Sequence, residues 1–231
     1  MSRIKAILFD MDGVLIDARE WHYHSLNKAL QLFGKTITRD DHLDNFNGLP
    51  TKEKLEKLSL NRGLPRELHG LIEDLKQKHT RYFIHKYCNP NFHHEYTLSK
   101  LKSEGYKLAL CSNSIRNSVN LMMELSNLRQ YFDITFSNED VTRPKPDPQI
   151  YQLAMEKLGS SPDQCLVVED NVIGIQSATD AGAFVLRVQS PLEVTYDTVK
   201  KAIKNVESFS SKKAKGIIDG IEYAYTGGWP R

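Results

Sequence analysis

The sequence predicts an α/β protein, a doubly wound parallel sheet with a Rossmann-like core and an inserted all-α domain. Apolar runs near residues 4–9, 107–111, 133–137, 165–168 and 184–188 read as strands, and helical patterns separate all but the first pair. Three of these runs end in acids or small polar residues. That places side chains at the carboxyl edge of a parallel sheet, where open α/β folds bind ligands. Nearly a hundred residues part the first two strands, far more than one crossover requires, and 18–86 show helical periodicity with no strand pattern.

The first strand, Ala6-Ile7-Leu8-Phe9, leads into Asp10-Met11-Asp12-Gly13-Val14. Carboxylates two residues apart repel one another. A cation, a shared proton, or a division of nucleophile and general-acid roles would offset that cost. The insert follows, with apolar spacings at Leu26, Ala29, Leu30 and Phe33, at Leu55, Leu58 and Leu60, and at Leu68, Leu71, Ile72 and Leu75. These patterns divide the chain into a core of residues 1–17 and 88–231 and a helical domain of residues 18–87.

The second strand, in Lys107-Leu108-Ala109-Leu110-Cys111, ends in Ser112-Asn113-Ser114, and a helix begins after Ile115. Hydroxyls and amides of such a turn make a site for a phosphate oxygen. Ser114 reads equally as an N-cap and Ser112 as a loop residue. In Arg143-Pro144-Lys145-Pro146-Asp147-Pro148 the prolines restrict the backbone around one lysine. Pro148 is expected at the first position of a helix that Gly159 ends. The prolines are explained by that helix start; Lys145 is not. The buried run Cys165-Leu166-Val167-Val168 ends in Glu169-Asp170-Asn171, before a helix over Gly174–Ala181 that Gly182 stops. Glu169 and Asp170 beside Asp10 and Asp12 form an oxygen-rich site of the kind that suits Mg²⁺.

Those four segments, in that order, resemble the four motifs of the haloacid dehalogenase superfamily of aspartate-nucleophile phosphotransferases. Within it the chain looks like the branch of β-phosphoglucomutases, phosphoglycolate phosphatases and small sugar phosphatases, with motif spacing running from residue 7 to about residue 188. The resemblance implies that Asp10 attacks phosphorus to give an aspartyl-phosphate. Asp12 then protonates the leaving oxygen and later deprotonates the water or sugar hydroxyl that resolves the intermediate. It also implies Mg²⁺ held by Asp10, the main-chain carbonyl of Asp12 and Asp170, with Glu169 supporting the metal's waters. Ser112, Asn113 and Lys145 would bind the transferring phosphate, Lys145 also stabilising the phosphoaspartate.

In this branch the insert is a cap that selects the substrate as it closes. Its candidates are Arg19, Glu20, Trp21, His22 and His24, together with Gly48-Leu49-Pro50-Thr51-Lys52, which resembles the branch's specificity loop. His22 and Thr51 are the expected substrate contacts there. A lone His on a helix reads first as a structural residue. Lys76 and Lys78 could reach a distal phosphate, but the charged stretch reads first as a solvated helix face. Ala18 stands where many members have Ser or Thr. Thr51 stands about where the phosphoglucomutases carry an arginine, which weighs against mutase activity. Pro90-Asn91-Phe92-His93-His94 replaces the usual Pro-Gly of the second hinge and reads as a polar loop.

With 40% hydrophobic and 26% charged residues the composition is that of an ordinary globular protein, and a net charge of +2 without a basic stripe gives no nucleic-acid footprint. No run approaches the length needed to span a bilayer, and the amino terminus lacks a signal pattern. Cys88, Cys111 and Cys165 read as small apolar residues of a reducing compartment. The expectation is a cytoplasmic, monomeric phosphatase of small phosphomonoesters such as sugar phosphates. A phosphosugar mutase is the alternative, and a noncatalytic scaffold would be expected to have lost one of Asp10, Asp12, Lys145 or Asp170. The stretch Lys212–Arg231, with Tyr223, Tyr225, Gly227, Gly228 and Trp229, reads as a terminal arm or an interaction patch.

Overall fold

The computed structural model describes residues 3–208 and the backbone of 217–218 and 221–222. Five parallel strands form the sheet: β1 (Ala6–Phe9), β2 (Lys107–Cys111), β3 (Ile134–Phe136), β4 (Cys165–Glu169) and β5 (Phe184–Arg187). Two-residue strands β6 (Ile217–Ile218) and β7 (Ile221–Glu222) extend it antiparallel beyond β5, in the order β3-β2-β1-β4-β5-β7-β6. Strands this short carry no alternation for a sequence pattern to show. Tyr223, Tyr225, Gly227, Gly228 and Trp229 lie outside the described residues.

Side chains alternate across the sheet with period two, and each face builds its own core. Ile7, Phe9, Leu108, Leu110, Leu166 and Val168 point to one face, packing with Leu98, Val119, Met122 and Ile203. Leu8, Ala109, Cys111, Val167 and Val185 point to the other, packing with Ile150, Tyr151, Ala154 and Ala178. The covering helices are α5 (Phe92–Ser103), α6 (Arg116–Leu125), α7 (Gln149–Leu158), α8 (Val172–Asp180) and α9 (Tyr196–Ser208). Because β1 lies between β2 and β4, the strand order reverses beside it. Asp10 therefore stands at the switch point, where a crevice opens at the carboxyl edge.

The insert is helical throughout its regular elements: α1 (Arg19–Gln31), the short α2 (Arg39–Asp41) running into a π-helical turn at His42–Phe46, α3 (Thr51–Arg62) and α4 (His69–Tyr87). It buries a separate apolar cluster of Leu26, Leu30, Ile37, Phe46, Leu55, Leu58 and Ile72. Trp21 near its start stacks on Tyr87 at its end, with ring centroids 6.2 Å apart, so the two chain crossings into the core are joined.

One local expectation is corrected. Asn91 accepts a hydrogen bond from His93 N at 3.0 Å and starts α5, so Phe92–His94 is a helical turn and not a polar loop. His94 is buried there and sits 2.8 Å from the Pro191 carbonyl. At α7 the Asp147 carboxylate accepts from Gln149 N at 3.0 Å and Pro148 already has helical backbone angles, so the aspartate caps the helix and the proline leads into it as expected.

Leu8 is wholly buried at the centre of the second face. Leu8→Ala should cost about 2–5 kcal/mol of stability by urea denaturation, with the secondary structure retained.

Candidate active site

The carboxyl ends of β1, β2 and β4 bring the acids, the serines and Lys145 to one place. After β1 the chain turns sharply, with Gly13 N donating to Ile16 O at 2.7 Å and Gly13 at φ +94°. That glycine is required twice over. Its conformation is one that L side chains rarely adopt, and a Cβ there would lie 2.2 Å from Asp170 Oδ2. Gly174, in the first turn of α8, is equally constrained, since a Cβ would lie 1.7 Å from Glu169 Oε1. The two glycines let the acids of β4 close against the β1 turn.

Lys145 is the centre of the cluster. Its ammonium, 2% exposed as a residue, donates to Asp10 Oδ1 and Glu169 Oε1 at 2.7 Å and to Cys111 O and the Tyr151 hydroxyl at 2.8 Å. Tyr151 in turn donates to Glu169 Oε1 at 2.8 Å. Burial opposes the charge on Lys145, but the Asp10 and Glu169 carboxylates outweigh it and hold its pKa above the usual lysine value. Asp10 is pushed well up, chiefly by burial, with Lys145 opposing and Glu169, Asp170 and Asp12 adding repulsion. Asp170 rises to about 6 through burial and Glu169, eased by Asn171 and by Arg19, whose guanidinium stands 4.0 Å away.

Asp12 has a different environment. His22 Nε2 lies 3.1 Å from its Oδ1, and Ser114 donates to its Oδ2 at 2.8 Å. Burial raises Asp12, but His22 and Ser114 outweigh it and leave the carboxyl below its ordinary range. Ser114 is thus not the helix cap, a position held by Ile115. Ser112 is fully buried beneath, its Oγ accepting from Ser114 N at 3.0 Å. Asn113 donates to Gly48 O at 3.0 Å and Lys145 O at 3.1 Å and accepts from Lys145 N at 3.1 Å, linking the core, the Lys145 loop and the insert.

A cavity of about 630 Å³ lies between this edge and the insert. Asp10, Asp12, Asn113, Ser114 and Lys145 line it from the core, and Arg19, His22, Gly48 and Thr51 from the insert. Of the run that opens the insert, Glu20 pairs with Arg39, His24 faces Glu20, and Trp21 packs at the hinge, so only Arg19 and His22 reach the cavity. His22 is therefore more than a packing residue.

Lys76 corrects the solvated-face reading. It is 6% exposed and lines the cavity, whereas Lys78 is exposed. Lys54, also 6% exposed, and His42, 2% exposed, line the same wall, and the sequence pattern did not single them out. A signal was present: Lys76 stands four residues from both Ile72 and Thr80 on the buried stripe of α4, and Lys54 stands four before Leu58 on that of α3.

Asp10, Glu169 and Asp170 each offer an oxygen within 4.8 Å of the others. Three carboxylates around a single hydrogen-bonded ammonium leave negative charge unmatched, and hard oxygen donors of this kind suit a divalent cation such as Mg²⁺.

The comparisons agree with this geometry. The family described as haloacid dehalogenase-like hydrolase matches residues 7–188. The pyrophosphatase PpaX of Bacillus velezensis is 30% identical over 190 residues, spanning 78% of this chain and 81% of that protein. The phosphorylated carbohydrates phosphatase of Thermotoga maritima is 29% identical over 180 residues, 78% of this chain and 82% of that one. The solved structure of β-phosphoglucomutase from Clostridium difficile shares the fold at TM-score 0.76 and 22% identity, covering 87% of this chain and 98% of that one.

Lys145→Met should destabilise the protein by about 3–5 kcal/mol at pH 7, since it strands two buried carboxylates. The deficit should narrow on acidification. A carboxyl whose folded pKa is raised, as for Asp10, takes up its proton earlier in the folded state, so its penalty shrinks as pH falls below that value and is gone only below the ordinary carboxylate range. Thermal unfolding at pH 7 and pH 5 checks both.

Proposed function

The chain belongs to the haloacid dehalogenase-like hydrolases, and from that premise we propose that it is a Mg²⁺-dependent phosphatase of a small phosphomonoester, acting through an aspartyl-phosphate on Asp10. The observation that carries the reading is the division between the two carboxylates of the β1 turn: Lys145 holds Asp10, while His22 and Ser114 hold Asp12. The Lys145 ammonium works against burial to favour the ionised Asp10 that attacks phosphorus, and Asp12, which lines the cavity with its own partners, is left to handle the proton.

Lys145 engages Asp10 Oδ1 and orients the carboxylate. An Asp10 oxygen forms a bond to phosphorus as the bond from phosphorus to the ester oxygen breaks, and Asp12 gives that oxygen a proton. Asp12 is ionised in the free site; the approach of a phosphate dianion raises its pKa, and it takes up from solvent the proton that it then gives to the leaving oxygen. Asp12 then takes a proton from water as the water attacks phosphorus, the Asp10–phosphorus bond breaks, and inorganic phosphate leaves. In this reading Ser112 and Lys145 hold oxygens of the transferring group; Ser112 is buried, accepting from Ser114 N, and Lys145 would exchange one of its four present contacts for the phosphate. Asp10, Asp170 and the main-chain carbonyl of Asp12 would hold Mg²⁺, with Glu169 behind them. The bound cation would supply positive charge that lowers the repulsion between Asp10 and the incoming phosphate.

In this reading residues 18–87 are a cap, and its Gly48 loop meets the core at closure. Gly48 O accepts from Asn113, and a Cβ at Gly48 would lie 2.8 Å from Asn171 Oδ1. Three buried free cysteines support a reducing, cytoplasmic setting.

The test is phosphate release from a panel of sugar phosphates, phosphoglycolate and nucleotides. Release should require Mg²⁺, vanish on chelation and return on its replacement. Asp10→Asn should abolish it while the protein stays folded, and Asp12→Asn should lower kcat by about 10²–10⁴-fold. Near-normal release by Asp10→Asn would overturn the assignment.

A further inference from the structure

We propose that the Tyr151 hydroxyl is a positioning group, which holds Glu169 when the Lys145 ammonium turns from that carboxylate to the transferring phosphate. The inference rests on the phosphatase reading and adds to it the residue that lets Lys145 move.

An ammonium has three hydrogens, and that of Lys145 has four acceptors at 2.7–2.8 Å. Two of the acceptors share a direction. Tyr151 Oη, Glu169 Oε1 and Lys145 Nζ stand 2.7–2.8 Å from one another, so the two oxygens lie closer in angle than two tetrahedral hydrogens do. One hydrogen therefore serves both, and the other two go to Asp10 Oδ1 and Cys111 O. None is left for a phosphate oxygen until one of these contacts is given up.

Glu169 is the partner that releases the ammonium most easily. Its Oε1 also accepts from Tyr151 at 2.8 Å, and its Oε2 accepts from Asp170 N at 3.0 Å and from Asn171 Nδ2 at 3.3 Å. Asp10 has no such reserve, since Lys145 is the only hydrogen-bond donor to its carboxylate among the described residues. Releasing Asp10 would loosen the nucleophile. Releasing Glu169 leaves both of its oxygens bonded, and for Oε1 that bond comes from Tyr151 alone.

Tyr151 is placed for this task and for no direct one. It is wholly buried in the first turn of α7 and does not line the cavity, so it meets no substrate atom and acts through Glu169 and Lys145. Its ring centre lies 4.7 Å from Nζ and continues to attract the cation as the hydrogen swings away from oxygen. Burial, with Glu169 and Asp10, pushes the phenol well above its ordinary range, so it carries the proton it donates. A phenylalanine there would fill the same space but leave Oε1 to Lys145 alone. The swing of the ammonium would then strand a buried carboxylate oxygen, a cost met only during transfer.

The test compares Tyr151→Phe with the wild type on the compound of the panel that is hydrolysed best. The variant should fold, because Lys145 still pairs with Glu169, and thermal unfolding checks this. Its kcat should fall at least about ten-fold while KM changes less than about three-fold, since the contact at stake forms as phosphate transfers and not as substrate binds. The Mg²⁺ concentration that gives half of the full rate should stay the same. An unchanged kcat, a loss carried by KM, or a rate restored by excess Mg²⁺ overturns the proposal and leaves the phosphatase standing. If no compound is hydrolysed, the phosphatase reading fails by itself. Calorimetric titration with orthovanadate and Mg²⁺ then decides the role of the hydroxyl, because vanadate takes the five-coordinate geometry of a phosphoryl group in transfer. A Kd weakened at least about ten-fold in Tyr151→Phe supports it. An unchanged Kd, or no binding to either protein, overturns it.

Discussion

The structure turns on the buried ammonium of Lys145. Asp10, Glu169 and Asp170 converge at the switch point of the sheet because β1 and β4 are neighbours, and such a cluster without a counter-charge would repel itself apart. Lys145 supplies that charge through contacts of 2.7–2.8 Å to Asp10, Glu169, Cys111 O and Tyr151. Tyr151 completes the arrangement from α7 by accepting from Lys145 and donating to Glu169. The stiff Pro-Lys-Pro segment, fixed through its backbone by Asn113, delivers the lysine from the far side of the sheet.

Around that pair the cavity is divided by charge. The core wall is acidic and the insert wall is basic, with Asp12 and His22 at the boundary between them. The division follows from the chain's order. Strand ends supply the acids, and an inserted helical unit placed directly after the first of them supplies the opposing wall. Gly48, Gly13 and Gly174 mark the places where the two walls, or the acids and their turns, approach too closely for a side chain.

The sheet was legible in the sequence because β1, β4 and most of β2 are apolar runs buried on both faces, which no amphipathic helix imitates. Its site was legible for the same reason, since polar residues that end such runs stand out. What the pattern missed lay on helices. Lys54 and Lys76 sit on buried stripes where a charge reads by default as surface, and only the packing of three insert segments around one cavity shows otherwise. Ser114 was ambiguous because a cap and a site hydroxyl share one signature until its partner, Asp12, comes into place from β1. His94 reads as a loop residue because nothing in the pattern marks Asn91 as the cap of α5 until His93 N meets its side chain. The edge strands β6 and β7 are too short for any periodic signal.

The central claim is that Asp10, and no other carboxylate, becomes covalently phosphorylated. Borohydride added during turnover reduces an acyl phosphate to the alcohol, and peptide mass spectrometry then locates it. The account predicts reduction at position 10 alone, dependent on substrate and absent in Asp10→Asn. Steady phosphate release with no reduction at position 10, or reduction at Asp12 instead, would contradict it.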